Sequence, residues 1–131
     1  MATVTASLTL SSPDLTGDNL SLSTSSTLTK AGTVTGLDQT TGVSRKTYTT
    51  SSIQTLIAKG DYADDKAHKV YIRNTSSVAT ENIIVTIESQ LLGRLYAGDW
   101  ALLPFNGDQD IKITPSVSTA LTVEFMVIYE S

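Results

Sequence analysis

The stretch from residue 91 to residue 130, LLGRLYAGDWALLPFNGDQDIKITPSVSTALTVEFMVIYE, decides the fold. Two turn signals, Ala97-Gly98-Asp99 and Asn106-Gly107-Asp108, divide it into apolar pieces that are too short for helices. Such turns favour hairpins between antiparallel strands. The stretch therefore predicts packed antiparallel strands over residues 92–97, 100–105, 111–114 and 121–130.

The last of these strands carries apolar side chains at every second position, ending at Val127 and Tyr129. Its second half is apolar on the opposite face too, because Met126 and Ile128 alternate with those residues. A strand that is apolar on both faces is normally covered on both sides. We therefore expect it to lie centrally in its sheet or in a subunit contact.

Two further runs in the middle of the chain predict half-buried strands. Residues 69–74 place Val70 and Ile72 opposite Tyr71 and Arg73, and residues 82–89 place three aliphatic side chains on one face. Between residues 51 and 69 two interpretations stay open. In the first, residues 51–60 form a short capped helix. In the second, residues 53–58 form a strand that leads into the acidic loop 61–65. The run is too short for the spacing of its apolar residues to distinguish a helix from a strand.

The first fifty residues are rich in Ser and Thr, and apolar residues alternate with them. Val4, Ala6, Leu8 and Leu10 share one face of a predicted strand, and the pair Leu20 and Leu22, then the single residues Leu28 and Val34, mark thinner strands. Burying each such side chain contributes about 2 kcal/mol, which hardly offsets the entropy of ordering the backbone. We expect residues 1–50 to form an extended arm or intersubunit strands that lean on the second half or on a neighbouring subunit.

About eight short strands at regular spacing predict an all-β protein, an antiparallel β-sandwich of the jelly-roll kind with a Thr/Ser-rich N-terminal β segment. A length of 131 residues predicts one domain, residues 1–131.

The composition limits the classes of partner that we expect. A net charge of −4 gives no bulk attraction to nucleic acid or to an anionic membrane, so we predict protein partners and neither nucleic acid nor membrane. The absence of cysteine excludes disulfides. The N-terminus lacks the basic start and apolar run of a secretory signal, and no window is apolar enough for a membrane span, so we expect a soluble chain.

The sequence contains no recognisable catalytic or metal-binding motif. His68 is the only histidine and has no catalytic neighbours, so we interpret it as a residue at the start of a strand. The acidic groups around Asp61 and Asp108 lack the spacing of a calcium loop, and no Gly-rich turn leads into a helix. We predict a non-enzymatic protein with no catalytic residue, no metal and no cofactor.

The aromatic residues of the predicted strands allow two interpretations. Tyr71, Tyr96, Trp100 and Phe105 could stack on sugars, but packing in a core or an interface is favoured because aromatic side chains bury large areas. The sequence therefore predicts an interaction surface that contains the following residues: Tyr71, Arg73, Tyr96, Trp100, Met126 and Ile128.

One family resemblance covers about half of the chain. It rests on KVYIRN at residues 69–74, LGRLYAGDWALLPF at residues 92–105, DIKI at residues 110–113, VEF at residues 123–125 and the final Tyr129-Glu130. This pattern resembles small virion structural proteins of tailed bacteriophages, most of all those of marine cyanophages. Those proteins are β-sandwiches with a strand that ends in Arg-Asn or Lys-Asn and a Gly-Asp/Glu-Trp turn.

The resemblance implies a homo-oligomeric head decoration (cement) protein, with a trimer as the favoured state and the major capsid protein as a partner. It places the chain in the virion, assembled in the cytoplasm of a bacterial host. The alternatives are a structural protein of the tail, collar or fibre, and a carbohydrate-binding module that contacts host glycans.

Overall fold

A computed structural model describes residues 2–15 and 17–131. These residues contain eleven strands and no helix. The strands are β1 (Thr5–Ser12), β2 (Leu20–Thr27), β3 (Gln39–Thr40), β4 (Ser44–Tyr48), β5 (Gln54–Ile57), β6 (His68–Asn74), β7 (Asn82–Ile87), β8 (Gln90–Tyr96), β9 (Trp100–Phe105), β10 (Ile111–Pro115) and β11 (Leu121–Tyr129).

Two antiparallel sheets form the body of the molecule. One has the strand order β5-β10-β7-β8, and the other has the order β3-β11-β6-β9 with β4 also paired to β11. Their facing side chains make one core, in which Val70 and Ile72 of one sheet pack with Ile83, Ile111 and Ile113 of the other. The protein is an antiparallel β-sandwich, as the sequence predicts, and the jelly-roll connectivity stays a prediction.

Glycine conformations explain both turns that divide the C-terminal stretch. Gly98 and Gly107 have φ angles of +83° and +93°, which side chains with a Cβ rarely adopt. At Gly107 a Cβ would also lie 2.5 Å from the carbonyl oxygen of Ala63. The hairpin from β8 to β9 therefore turns at Gly98, and β9 spans the six predicted residues.

The last strand lies centrally in its sheet, as the apolar pattern on both of its faces predicts. β11 pairs with β6 on one side and with β3 and β4 on the other. One face of β11 contributes Val123 and Val127 to the core between the sheets. On the opposite face, Ile128 packs against Leu28 and Leu37 from the N-terminal part of the chain.

The structure selects between the two interpretations of residues 51–69. The segment forms strand β5, not a helix, and Ile57 of that strand pairs with Ile111 of β10. The side chain of Ile57 is buried in the core. The contact with β10, which is remote in sequence, decides the conformation that the local pattern leaves open.

Other local predictions are wrong, and each has a physical reason. Leu28 and Val34 lie outside the strands, because residues 28–37 form a loop with a single bridge from Thr29 to Gly36. Val34 points to solvent. The strand predicted to reach residue 89 ends at Ile87, where Glu88 adopts a φ of +52° in the turn to β8. β3 and β4 have no apolar alternation, and only their pairing with β11 identifies them.

Two carboxylates fasten the N-terminal loop to the C-terminal end. Glu130 accepts hydrogen bonds from the backbone N–H of Ala31 at 2.8 Å and of Ala67 at 3.1 Å. Asp38 accepts a 2.7 Å hydrogen bond from Lys30 and a 3.0 Å bond from the backbone of Ser131. The bond from Ala31, above all, holds the pKa of Glu130 below its ordinary value, and the bond from Lys30 does the same for the pKa of Asp38.

Candidate interaction surface

Strands β1 and β2 form a separate two-stranded hairpin, which we call the arm. Eight residues of each strand pair in an unbroken antiparallel register. Since directly opposed residues share a face, Leu10 opposite Leu22 and Leu8 opposite Thr24 place the leucines on one face. Leu10 and Leu22 are 47% and 45% exposed. The arm therefore has an apolar face that the rest of the chain leaves half uncovered.

The other face of the arm consists of hydroxyl side chains. Its four cross-strand pairs are Thr5 with Thr27, Ser7 with Ser25, Thr9 with Ser23, and Ser11 with Ser21. Hydroxyl groups are well solvated without further partners. The apolar face of the arm would therefore gain stability from being covered, whereas the hydroxyl face is well solvated as it is.

The base of the arm packs against the sandwich. Val4 and Ala6 pack against a small cluster formed by Leu28, Leu37 and Ile128. An isolated two-stranded hairpin is marginally stable at best in water, so this base contact anchors the arm. Beyond it, Leu10 and Leu22 extend past the anchoring cluster.

The five-stranded sheet presents its outer face next to the arm. The register between β9, β6, β11 and β4 places Trp100, Arg73, Glu124 and Arg45 in one row across the strands. A second row contains Leu102, Tyr71 and Met126. Trp100 is 53% exposed and Leu102 is 38% exposed. Alternation along each strand thus gives this face an apolar and basic character.

Polar side chains of both rows bind one another around Glu124. Glu124 accepts a 2.8 Å hydrogen bond from the hydroxyl of Tyr71, and it contacts Arg45 at 2.9 Å. The bond from Tyr71, followed by that from Arg45, lowers the pKa of Glu124. Burial, together with the bond to Glu124, raises the pKa of Tyr71. The Glu124 carboxylate is therefore occupied by hydrogen bonds to Tyr71 and Arg45. Trp100 and Leu102 form the exposed apolar part of the surface.

Two adjoining depressions lie on the outer face of the sheet next to the arm, and we call them together the Trp100 groove. The first, of about 340 Å³, lies between the arm and the sheet, where Ala6 and Leu8 face Trp100 and Leu102. The second, of about 350 Å³, shares Trp100 and Leu102 and continues over Tyr71, Arg73 and Met126. The groove is open to solvent, and its walls are mainly apolar. It is suited to hold apolar side chains of another molecule.

The structure brings together most of the residues predicted from the sequence to form an interaction surface. Tyr71, Arg73, Trp100 and Met126 all line the Trp100 groove. Tyr96 lies elsewhere, at the end of β8 in the other sheet. Ile128 is on the same face as the groove but is only 7% exposed, because Leu28 and Leu37 cover it.

Leu8 and Leu102 also line the groove, although they are not among the six residues predicted for the surface. Leu10, Leu20 and Leu22 share the face of Leu8, within the segment that the sequence predicts as an extended arm or intersubunit strands. The signal was present in the alternation of residues 4–10 and 20–22, since pairing two such runs puts their leucines on one face. What the sequence does not show is that this face stays about half exposed at Leu10 and Leu22. The pattern alone is the same for a strand in a core.

His68 is part of the core, at the start of β6. Its Nε2–H donates a 2.9 Å hydrogen bond to the carbonyl oxygen of Ala63, and Nδ1 has no hydrogen-bond partner. Three aromatic rings surround it, those of Tyr62, Phe105 and Tyr129. The hydrogen bonds of His68 therefore involve no nucleophile or carboxylate.

Carboxylates in and near the turns accept hydrogen bonds from backbone N–H groups. Asp99 accepts a 2.9 Å hydrogen bond from the backbone of Tyr96, and Asp110 accepts a 2.8 Å bond from the backbone of Lys59. Across residues 2–15 and 17–131, no three His, Asp or Glu side chains are placed to hold a metal ion. The same residues include no helix with the length and apolarity to cross a membrane.

In comparisons with known proteins, no protein-family model, no curated protein and no solved structure matches this chain.

Proposed function

We propose that this chain is a non-enzymatic structural protein of a phage virion, a homo-oligomeric subunit that decorates the head. The sequence pattern of residues 69–130 supports the virion assignment by its resemblance to small phage structural proteins. The observation that carries the structural role is the half-exposed leucine face of the arm beside the exposed Trp100. A monomer that leaves such a continuous apolar surface open gains stability by covering it with another protein chain.

Decoration of a shell fits the rest of the molecule. The sandwich buries its own core, so the subunit can fold before it assembles. The arm and groove lie outside that core and supply a surface for contacts made afterwards. We propose further that the subunit forms a trimer and that it contacts the major capsid protein.

The test uses particles of a phage that encodes this chain. Heads and tails are separated after disruption, and the chain is quantified in each fraction by mass spectrometry. We expect it in the heads, at a ratio to the major capsid protein that is fixed between preparations. Its presence only in tails would contradict decoration and would support the tail, collar or fibre alternative. Its absence from both fractions would contradict any virion role.

Glycan binding is a second candidate, favoured by the exposed ring of Trp100 beside Tyr71 and Arg73. Aromatic faces of this kind stack on sugar rings. A glycan array read with the purified protein tests it, with Trp100→Ala as the matched control. Saturable binding that Trp100→Ala abolishes would support a carbohydrate-binding module. Binding to no glycan would contradict it and leave the structural proposal in place.

A further inference from the structure

We propose that the apolar face of the arm docks into the Trp100 groove of a second copy of this chain. This inference rests on the proposed homo-oligomeric function and names the surfaces that join the subunits. Each copy carries both halves of the contact, a leucine-bearing arm and an apolar groove. An arm in a neighbour's groove is a head-to-tail contact, which closes into a ring when the rotation between copies permits.

The chain cannot satisfy these surfaces by itself. In the groove of the same molecule the arm contributes Ala6 and Leu8, which lie near its base. Leu10 and Leu22 lie farther out and line neither depression of the groove, and they stay about half exposed. The outer leucines of the arm and one side of Trp100 therefore both remain exposed to solvent in the single chain.

Charge complementarity identifies a second copy as the occupant. The arm and its tip carry two acidic residues, Asp14 and Asp18, and no basic residue occurs before Lys30. The outer face of the five-stranded sheet carries Arg45, Lys69 and Arg73 against the single acid Glu124. An acidic tip of the arm and a net basic face of the sheet attract each other between copies, and this attraction steers the encounter.

The arm is long enough for this contact. Eight residues of strand span about 27 Å, whereas the three neighbouring strands β9, β6 and β11 span about 10 Å across the sheet. The arm has no charged side chain between residues 2 and 13 or between residues 19 and 29, so its docking desolvates no charge along the strands. Its hydroxyl face would stay in contact with water.

Trp100 provides a direct readout, because it is the only tryptophan in the chain. Docking buries its exposed half, so we expect the fluorescence emission to shift to the blue and quenching by acrylamide to fall as the protein concentration rises. Light scattering on a sizing column reports the mass in the same range. Leu10→Ser with Leu22→Ser removes the apolar face of the arm, and Leu102→Glu damages the groove while Trp100 remains.

We expect each variant to raise the dissociation constant of the oligomer at least about tenfold, a change that corresponds to about 1.4 kcal/mol. All three positions are partly exposed, and circular dichroism of the dilute proteins checks that the sandwich stays folded. If both variants associate as strongly as the wild type, the proposal is overturned.

Mixing the two variants distinguishes the arm-to-groove contact from other modes of association. The Leu102→Glu copy has an intact arm, and the double serine copy has an intact groove. We expect these two separately monomeric proteins to form a one-to-one complex when mixed. If they stay apart although the wild type associates, the arm-to-groove contact is refuted.

Failure here is distinguishable from failure of the proposed function. A wild-type chain that stays monomeric at its highest soluble concentration overturns the arm-to-groove contact between copies. Detection of that chain in purified heads would still support a virion subunit, with its apolar face covered by another capsid protein.

Discussion

The arm and the sandwich have the same sequence pattern but different surroundings. In β1 the apolar residues alternate with Ser and Thr, and in β6 Val70 and Ile72 alternate with polar residues. In β6 these residues are fully buried, whereas Leu10 and Leu22 of the arm are about half exposed. The comparison teaches that period-two alternation specifies which face of a strand is apolar. It does not specify which molecule covers that face.

The largest expected effect compares leucines in the two regions. Leu121→Ala, in β11 at 1% exposure, should lower the free energy of unfolding by about 3 kcal/mol because it leaves a cavity. Leu22→Ala, in the arm, should lower it by less than about 1 kcal/mol, since less area is buried there. Urea denaturation of dilute protein measures both. Equal losses would mean that the arm is as well packed as the core in the free chain.

The next effect concerns the polar part of the sandwich core. Asn74 is fully buried, and its side chain donates to the carbonyl oxygens of Glu81 at 3.2 Å and Leu95 at 3.0 Å. Asn74→Ala should cost about 2 to 3 kcal/mol of unfolding free energy, because both carbonyls lose their buried partner. The control Asn82→Ala removes solvent-accessible bonds and should cost less than about 1 kcal/mol. A smaller loss at position 74 than at position 82 would contradict this.

Much of the sandwich is predictable from its sequence because its strands are bounded by specific signals. Gly98 and Gly107 mark turns that need a positive φ, and the aliphatic alternation of β6, β7 and β11 matches the buried face. β3 and β4 were missed because they carry few apolar residues and are held only by β11. Pairing between segments that are remote in sequence is not a local property, so local patterns cannot show it.

The candidate surface was predictable only in part, for a related reason. Alternation along β6 separates Tyr71 and Arg73 from the core residues Val70 and Ile72, so their outward direction follows from the sequence. Trp100 lies in the same cross-strand row as Arg73 because of the register between β9 and β6, and the sequence does not show this register. The prediction that Ile128 belongs to the surface was wrong, because Leu28 and Leu37 of the loop at residues 28–37 cover this side chain. The sequence of that loop has no pattern that shows where the loop packs.

A pH-dependent effect tests how the N-terminal half is held to the sandwich. The pKa of Glu130 is lowered in the folded chain, so its contribution to stability is complete above the unfolded value, about 4.3, and is lost as the pH falls through the folded value. Glu130→Gln should therefore be less stable than the wild type at pH 7. The difference should shrink as unfolding is repeated toward pH 3.

The variant Lys66→Met separates the causes of this pH dependence. Lys66 contacts Glu130 at 3.3 Å, but the backbone N–H of Ala31 is the main cause of the lowered pKa. Most of the pH dependence that Glu130→Gln removes should therefore remain in Lys66→Met. If Lys66→Met removed it entirely, the ion pair and not the backbone of the N-terminal loop would be its source.

The smallest expected effect separates the two faces of the arm. Ser23 lies on the hydroxyl face opposite Thr9, one residue along the chain from Leu22 on the apolar face. Ser23→Ala should change the free energy of unfolding by no more than about 0.5 kcal/mol, as is usual for exposed positions, and should leave the association of the protein unchanged. Leu22→Ser, measured beside it by the emission of Trp100 against concentration, should weaken association. If Ser23→Ala weakened association as much as Leu22→Ser, the hydroxyl face would also be in contact with the neighbouring copy, and the arm would be enclosed between two surfaces.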